Sequence, residues 1–211
     1  MGRKQNIAIL ILAAGESSRM KEKVKQLLSW ENTSLLGNAL KQAQTSIAAG
    51  TYVVLGASAD LIKKEIRIDP SIVIQNRDWR KGMGSSIAVG VKHISSCPEQ
   101  YDAVLVMLAD QPLIDTGFIN VLLDSWMDNH TSIVVTSYPN GVGVPAVFGK
   151  SLFCELMQLD QNQGAKTIID KYKKDILSIY PEGKEADIDT CNDYQNLLNR
   201  VKVKNQHKIY K

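Results

Sequence analysis

The sequence predicts an α/β fold, in one domain: a Rossmann-like, mostly parallel sheet with helices on both faces and a small antiparallel excursion. Short apolar runs alternate with helix-length amphipathic segments along most of the 211 residues, and this alternation is typical of α/β proteins. The first run, residues 7–12, is apolar at every position, which predicts a strand buried on both faces of a parallel sheet. The content of 44% hydrophobic and 22% charged residues matches a globular domain and argues against disorder.

The predicted elements follow one another in strand and helix order up to residue 138. Strands are predicted at residues 7–12, 52–55, 72–74, 103–108 and 133–135. Apolar residues at helical spacing predict helices at residues 35–47, 59–66, 85–94 and 118–127. We expect Asp115 or Thr116 to cap the last of these helices, because both side chains accept backbone hydrogen bonds at helix starts.

The last third of the chain is less regular. A turn rich in glycine, proline and asparagine precedes an apolar run, which predicts an antiparallel strand at residues 144–148. The remaining predictions are helices at residues 152–159, 165–172 and 192–201 and a strand at residues 176–180. We therefore expect one domain over residues 1–200 and a basic tail over residues 201–211. The tail is either a solvated, fraying end or a contact for a partner or polyanion.

Composition excludes several classes of protein. The longest apolar run, residues 7–14, is far shorter than the roughly 20 residues of a membrane-spanning helix, so we expect neither a membrane protein nor a secreted one. A net charge of +3 is too small to indicate nucleic-acid binding. Cys97, Cys154 and Cys191 are widely spaced, which indicates reduced thiols in a cytoplasmic protein and, with three scattered histidines, no zinc site. A metal ion would need oxygen ligands, and magnesium is the natural candidate.

The loop after the first strand has the composition of a phosphate-binding loop. It combines small residues, a glycine, two hydroxyls and a cation: Leu12, Ala13, Ala14, Gly15, Ser17, Ser18 and Arg19. Small side chains let backbone N–H groups approach a phosphate, and the Arg19 guanidinium adds a permanently charged donor. Lys25, with Lys21 and Lys23 nearby, supplies further positive charge. The alternative interpretation is a tight turn followed by a solvated basic patch.

A second candidate segment begins at Gly82. The sequence has no Walker P-loop pattern, and GMGSSI at residues 82–87 lacks the third glycine of the dinucleotide-binding pattern. Walker ATPases and Rossmann dehydrogenases are therefore disfavoured. Gly82 and Ser85 nonetheless follow Asn76 and open a predicted helix, whose N-terminus favours anions. Helix capping alone is the alternative explanation.

Carboxylates stand at two points that suit a metal ion. Asp110 follows the apolar run 103–108 directly, and it is a hard oxygen ligand of the kind that holds magnesium against phosphates. The alternative for Asp110 is a turn residue or cap. Asp187 and Asp189 are two residues apart, so in an extended segment both face the same side and offer a second ligand. Alternatively, Asp189 or Thr190 caps the final helix.

Seven short motifs occur along the chain in an order typical of one family. They are LAAGxSxRM at residues 12–20, KQLL at 25–28, GMxSSI at 82–87, DQP at 110–112, GVPAVF at 143–148, GAK at 164–166 and DIDT at 187–190. In this order the motifs resemble the MobA-like nucleotidyltransferases. LAAG, in place of LAGG, resembles the molybdenum cofactor cytidylyltransferase branch of that family.

This resemblance implies magnesium-dependent transfer of CMP from CTP to molybdopterin or the molybdenum cofactor. A substrate phosphate attacks the α-phosphorus and pyrophosphate leaves. The resemblance assigns Arg19 and Lys25 to the charge of the triphosphate, with Lys23 as the substitute for Lys25, and the loop amides after the first strand to phosphate. It assigns Asp110 to magnesium, and it places Asn76, Gly82 and Ser85 near the nucleoside or the acceptor.

Two further functions stay open at this stage. One keeps the chemistry and changes the acceptor to another small phosphorylated compound, such as a sugar phosphate or a phospho-alcohol. The other is a non-catalytic module that shelters a pterin cofactor and delivers it to a molybdoenzyme. A molybdoenzyme that receives the cofactor is also the partner that the resemblance implies for a cytidylyltransferase.

Overall fold

The computed structural model describes residues 5–20, 23–129, 131–161 and 163–209. Within them the chain forms nine strands and seven α-helices. The strands are β1 (Ile7–Ala13), β2 (Ser29–Trp30), β3 (Thr33–Ser34), β4 (Gly50–Leu55), β5 (Val73–Gln75), β6 (Ala103–Leu108), β7 (Ile133–Tyr138), β8 (Gly141–Gly149) and β9 (Ile176–Ile179). The helices are α1 (Leu35–Gln44), α2 (Ala59–Glu65), α3 (Met83–Ser95), α4 (Thr116–Asn129), α5 (Phe153–Leu156), α6 (Ala165–Lys171) and α7 (Cys191–Ile209).

Seven of the strands form one sheet in the order β5-β4-β1-β6-β8-β7-β9. Among the described strands of this sheet, β8 alone runs antiparallel to its neighbours β6 and β7. The prediction of a mostly parallel sheet with an antiparallel excursion is therefore confirmed.

The order of the strands reverses direction at β1. The chain passes from β1 outward through β4 to β5 and then returns to the other side of β1 as β6. The parallel register pairs Leu12 of β1 with Leu108 of β6, so the loops that follow these two strands begin side by side. In open α/β sheets such a switch point opens a crevice at the carboxyl ends of the strands, where ligands bind.

The core consists of two apolar layers, one on each face of the sheet. Side chains of β1 alternate between them: Leu10 lies in one layer and Ile9 and Ile11 in the other. The first layer is covered by α3, α5 and α6 and the second by α1, α2 and α4. Gly90 lets α3 approach β1 closely, because a Cβ there would lie 2.4 Å from Leu10 Cδ2.

A third apolar cluster joins the two ends of the chain. Met20 and Trp30, which follow β1, pack with Leu35 at the start of α1 and with Ile188 and Leu197 from the C-terminal region. This cluster holds the segment before α7 against the loop after β1, and it therefore places the late carboxylates beside the early cations.

Several predicted boundaries differ from the structure. Helix α1 ends at Gln44, where the Thr45 and Ser46 hydroxyls donate to the carbonyls of Lys41 and Ala43 and so compete with further helix. Instead of a helix over residues 152–159, a 3₁₀ turn at Lys150–Leu152 leads into the short α5. The hairpin β2–β3, with two residues in each strand, was not predicted because so short a pair shows no periodicity.

The final helix is longer than predicted. It continues to Ile209, whereas the apolar spacing in the sequence ends near residue 201. The basic tail predicted at residues 201–211 is therefore helical up to Ile209, and its last two residues lie outside the described ranges. No helix in the described part of the chain is both long enough and apolar enough to cross a membrane.

Candidate active site at the carboxyl edge of the sheet

A cleft of about 540 Å³ opens where β1 and β6 end. Four parts of the chain line it: the loop after β1, the connection between β5 and α3, the loop after β6 and the segment before α7. Most of the predicted site residues are among its lining residues: Leu12, Ala13, Ala14, Gly15, Ser17, Arg19, Lys25, Gly82, Asp110 and Asp189. The side chain of Ser18 and the whole of Lys21 lie outside what the structure describes.

The loop after β1 is held in place by a glutamine that sequence reasoning missed. The buried Gln26 donates from Nε2 to the carbonyls of Ala13 (3.0 Å) and Gly15 (3.1 Å). Its Oε1 accepts from the hydroxyl of Ser17, which in turn accepts from the backbone N–H of Lys25. Because these carbonyls are bonded to Gln26, they are held away from the cleft. The only sequence signal was a polar residue inside the KQLL motif.

The conformation of the same loop leaves room for a ligand. Ser17 adopts a left-handed conformation with φ 59°, which is rare for a residue with a side chain and is retained where surrounding bonds enforce it. At Gly15 a Cβ would meet no atom of the protein within 4 Å. The glycine is therefore not needed for internal packing, and its open side faces the cleft.

The cations and carboxylates of the cleft form one connected group. Lys25 Nζ lies 2.5 Å from Asp110 Oδ2 and 3.4 Å from Asp189 Oδ1. Arg19 Nη1 lies 3.3 Å from Asp189 Oδ2. The side chains of Lys25 and Asp110 are only 16% and 20% exposed, whereas Arg19 is 71% exposed. Lys25, and not the exposed Lys23, is thus the lysine that faces the cleft.

Asp110 has one oxygen that the protein leaves without a partner. Its Oδ1 is buried and accepts no hydrogen bond from the described residues. A buried carboxylate oxygen of this kind is costly unless a donor or cation satisfies it. Magnesium commonly uses one or two protein carboxylates and completes its coordination with substrate phosphates and water. Asp110 with Asp189 fits that pattern, and the described residues contain no cluster of three or more ligands that would bind a metal alone.

The segment before α7 folds back on Asp110. The N–H of Ile188 donates to the carbonyl of Asp110 at 3.0 Å, and the Ile188 side chain is fully buried. Asp187 and Asp189, on either side of Ile188, both line the cleft, as their spacing predicted.

Of the two residues predicted as alternative caps of α7, Thr190 forms the cap. The hydroxyl of Thr190 accepts from the N–H of Asp193, and Asp193 Oδ2 accepts from the N–H of Thr190. The carboxylate of Asp189 is thereby left to the cleft.

The surroundings of Asp187 shift the pKa of its carboxyl group. Desolvation raises its pKa above the ordinary value, although part of the side chain is exposed to the cleft. A hydrogen bond from Gln111 opposes that rise, and the negative charges of Asp110 and Asp189 add to it. Gln111, a second buried glutamine, was also missed by sequence reasoning.

Asn76 and Ser85 lie behind the cleft wall and are not among its lining residues. Asn76 is buried and donates from Nδ2 to the hydroxyls of Ser85 and Ser86, both at 2.9 Å. The Ser85 hydroxyl donates to the carbonyl of Gly82. These two side chains therefore shape the turn into α3, and Gly82 and Ser86 are the residues of this group that reach the cleft.

The glycines of this turn have a packing role. No side chain caps α3, so capping does not explain the motif. Gly82 has φ 90°, and a Cβ on Gly84 would lie 2.3 Å from the carbonyl oxygen of Asp160. Both positions thus allow the turn to pack against the backbone of Asp160, Gln161 and Gln163.

The wall opposite the loop after β1 contains three residues that sequence reasoning did not single out. Trp79, Arg80 and Met83 line the cleft, and the Arg80 guanidinium lies 4.5 Å above the Trp79 ring. Met83 is 48% exposed although it is apolar. These residues add apolar surface and a further positive charge to the cleft lining.

Comparison with protein families identifies the architecture of this site. Residues 9–176 match the model of the MobA-like NTP transferase domain. The chain belongs to this family. The match confirms the resemblance seen in the motifs, and it includes every predicted site residue except Asp189, which lies with Asp187 beyond the matched residues.

Two similar proteins, one of them known in two crystal structures, share most of their length with this chain. Nicotine blue oxidoreductase of Paenarthrobacter nicotinovorans is 26% identical over 200 residues, covering 90% of this chain and 95% of that protein. The crystal structure of Rv0371c from Mycobacterium tuberculosis has a TM-score of 0.82 at 27% identity and covers 94% of this chain and all of that one. A structure of Rv0371c in complex with manganese has a TM-score of 0.77 at 26% identity and covers 92% of this chain and 99% of that one.

Proposed function

We propose that this protein transfers CMP from CTP to molybdopterin or the molybdenum cofactor, with release of pyrophosphate and with magnesium as the metal. The observation that carries the proposal is the convergence of Arg19, Lys25, Asp110 and Asp189 in one cleft beside the loop after β1. Cations beside a small-residue loop suit a triphosphate, and facing carboxylates suit the metal that accompanies it.

The chemistry needs positioning and charge neutralisation more than a protein nucleophile. An oxygen of the acceptor phosphate forms a bond to the α-phosphorus, and the bond from that phosphorus to the bridging oxygen breaks, so that pyrophosphate leaves with the bonding electrons. Transfers at phosphorus are catalysed mainly in this way. The acceptor phosphate is already ionised, so no side chain has to remove a proton from it.

Each charged group of the cleft has a part in this scheme. The Lys25 ammonium and the Arg19 guanidinium hold the triphosphate, and they stabilise the charge that develops on the leaving pyrophosphate. The backbone N–H groups of residues 14–18 bind phosphate oxygens. Asp110 and Asp189 hold the metal, which when bound neutralises phosphate charge and orients the triphosphate. The manganese complex of Rv0371c supports a divalent metal in this fold.

The identity of the substrates rests on the sequence motifs. LAAG at residues 12–15 supports CTP, and the seven motifs together support molybdopterin as the acceptor and a molybdoenzyme as the recipient of the product. We place the nucleotidyltransferase domain at residues 1–200. The three cysteines are all unpaired, which supports a cytoplasmic location.

Pyrophosphate release tests the proposal directly. The purified protein is incubated with magnesium, each of the four nucleoside triphosphates in turn and either molybdopterin or the loaded cofactor. We expect pyrophosphate only with an acceptor, fastest with CTP, and a dinucleotide product by mass spectrometry. Folded protein that releases no pyrophosphate with any pair would contradict the proposal.

Two alternatives make different predictions in the same assay. Transfer to a sugar phosphate or a phospho-alcohol predicts pyrophosphate with those acceptors and none with molybdopterin. A carrier that only shelters the pterin predicts a stable complex with a molybdoenzyme that survives Asp110→Ala. The ion-paired carboxylates beside the loop favour catalysis over carriage, because a carrier has no need of a metal position next to a triphosphate loop.

An oxidoreductase is a further candidate because the relative of that name aligns with 90% of this chain. Reduction of nicotine blue by the protein with added NADH or NADPH as electron donor would support it. The residues that line the cleft include neither a cysteine nor a dinucleotide fingerprint, so we expect no such reduction.

A further inference from the structure

Gln111 joins three parts of the chain at the edge of the cleft. It follows Asp110 directly and is only 3% exposed. Its Nε2 lies 2.8 Å from Asp187 Oδ1, 3.0 Å from Tyr138 Oη and 3.3 Å from the carbonyl oxygen of Val144. One amide thus connects the loop after β6 to the segment before α7 and to the β7–β8 hairpin.

The donors of this network can be assigned to their acceptors, while the buried Oε1 of Gln111 has no hydrogen-bond partner among the described residues. An amide NH₂ has two hydrogens, and Gln111 gives one to Asp187 and one to the oxygen of Tyr138. The Tyr138 hydroxyl keeps its own hydrogen and donates it to the carbonyl of Val144. The Gln111 amide is therefore fixed by the hairpin, and it offers Asp187 a rigid donor.

This donor adds a second hydrogen bond to the segment that carries Asp189, whose Ile188 side chain is also packed in the third apolar cluster. The first is the hydrogen bond from the N–H of Ile188 to the carbonyl of Asp110. A single hydrogen bond allows the segment to pivot, whereas two at neighbouring residues fix its direction. With Asp187 held on one side of Ile188, Asp189 is directed toward Lys25 and Asp110 on the other.

We propose that Gln111 is a positioning residue: by holding Asp187 it fixes the 187–189 segment so that Asp189 faces Asp110 across the metal position. The inference rests on the proposed function, since it uses the metal role of Asp110 and Asp189. Gln111 acts through Asp187 and does not itself contact the substrate. In this arrangement Asp187 is an anchor and Asp189 is the ligand.

The test compares variants by their metal requirement. Gln111→Met keeps the length of the side chain and removes both donors, and Gln111→Glu keeps its shape and places a carboxylate beside Asp187. We expect the manganese concentration for half-maximal transfer to rise by roughly tenfold in both, the low end of the range for lost partners of metal ligands, because Gln111 acts on the ligand Asp189 through Asp187. The KM for CTP and the kcat at saturating metal should change much less.

A binding measurement supplies a readout that does not depend on turnover. Manganese is titrated by electron paramagnetic resonance into each variant with a non-hydrolysable CTP analogue present. The fold increase in the dissociation constant for manganese should equal the fold increase in the manganese concentration for half-maximal transfer. An unchanged manganese affinity in a folded Gln111→Met would overturn the proposal.

Gln42 offers a matched control. It is also a partly buried glutamine that links two elements, since its Oε1 accepts from the N–H of Thr116 and its Nε2 donates to Asn38. The bond to Thr116 joins α1 to the start of α4, and Gln42 is not among the residues that line the cleft. Gln42→Met should leave the metal requirement at the wild-type value. Equal shifts in both variants would mean general loosening and would overturn the positioning role.

A double-mutant cycle tests whether Gln111 acts through Asp187. Asp187→Ala should reproduce the metal shift of Gln111→Met, and the double variant should be no worse than either single one. Asp187→Asn should lose less, because its amide oxygen still accepts from Gln111. Additive losses would contradict the anchor role. If wild-type protein shows no metal-dependent transfer and no manganese binding, the proposed function fails; if it shows both and the Gln111 variants match it, this inference alone fails.

Discussion

The ammonium of Lys25 lies 2.5 Å from Asp110 Oδ2 and 3.4 Å from Asp189 Oδ1, so one lysine bridges the two carboxylates that we assign to the metal. A lysine at this point satisfies carboxylates that would otherwise repel each other. The same ammonium is assigned to the triphosphate, and it cannot serve both partners fully. Arrival of the metal with its nucleotide should therefore transfer Lys25 from carboxylate to phosphate.

Lys25→Met should bind manganese more tightly than the wild type when no nucleotide is present. The variant removes the competing cation from both carboxylates, and we expect a gain of roughly tenfold, equivalent to about 1.4 kcal/mol. Arg19→Gln removes the same charge nearby but contacts only Asp189, so its gain should be smaller. Titration by electron paramagnetic resonance measures both. Equal gains in manganese affinity in the two variants would show a general effect of positive charge and no direct competition between Lys25 and the metal.

Asp110→Asn should lower kcat by roughly two to three orders of magnitude, because it removes a charge that is preorganised for the transfer. Binding of CTP, measured by calorimetry, should be largely retained. Asp102→Asn is a matched control at the opposite end of β6, where the carboxylate accepts from the N–H of Asn6. That variant should turn over at the wild-type rate. Wild-type turnover in Asp110→Asn would refute the metal role.

Arg19→Ala should raise the KM for the triphosphate by roughly tenfold, about 1.4 kcal/mol of binding. We expect a moderate effect because the Arg19 side chain is 71% exposed and its interactions are weakened by solvent. Raising the salt concentration should narrow the difference between the variant and the wild type. Steady-state kinetics at two ionic strengths measure this, with Arg67→Ala on the far surface as the control. An unchanged KM would remove Arg19 from the site.

Asp115 should make the stability of the fold depend on pH. It accepts from the N–H of Phe118, as a cap of α4, and from Lys184 Nζ, both at 2.9 Å. Partial burial opposes ionisation, but these partners outweigh it and the pKa of Asp115 is lowered. A lowered pKa stabilises the folded state above the unfolded pKa of about 3.9, and that contribution is lost as the pH falls through the folded value.

We therefore expect Asp115→Ala to lower the free energy of unfolding by about 1 kcal/mol at neutral pH, the usual cost of a lost cap. The difference from wild type should shrink below about pH 4. Urea unfolding at several pH values measures it. Lys184→Met keeps the cap and should cost less, because half-exposed ion pairs contribute at most about 1 kcal/mol. A difference that does not vary with pH would contradict this account.

Gly90→Ala should destabilise the sheet core. The added methyl would lie 2.4 Å from Leu10 Cδ2, and α3 would have to move away from β1 at a cost of about 1–3 kcal/mol. Gly117→Ala in α4 is the control. A Cβ there would lie 3.5 Å from Asp115 Oδ1, which is an ordinary contact distance, so the substitution should be neutral or slightly stabilising. Urea unfolding compares the two. Equal stability of both variants would show that α3 is not confined by Leu10.

The sheet was predictable where local pattern decides structure. The apolar run at residues 7–12 and the small residues after it predicted β1 and its phosphate-type loop, and Asp110 was predicted from its place after β6. The antiparallel β8 was predicted from the turn before it. The end of α7 was not predicted from the sequence, because the apolar spacing stops at Val201 while the helix continues through polar residues to Ile209.

The interior of the site was less predictable. Gln26 and Gln111 bond to partners that become neighbours only in the folded chain, and no local pattern distinguishes a buried amide from an exposed one. Asn76 and Ser85 were predicted to lie near the nucleoside or the acceptor, but neither side chain lines the cleft, because the direction of a side chain depends on packing. The role of Thr190 as the cap of α7 became decidable only once Asp193 was seen to bond back to it.

The third apolar cluster makes the site depend on both termini of the domain. Arg19 and Asp189 are 170 positions apart in sequence, and they meet because Ile188 and Leu197 pack onto Met20 and Trp30. During synthesis the loop that carries Arg19 therefore leaves the ribosome long before the segment that carries Asp189. A chain cut before Ile188 would retain every strand of the main sheet and still lack Asp189, one of the two carboxylates that we assign to the metal, so on this proposal transfer activity would require the C-terminal segment.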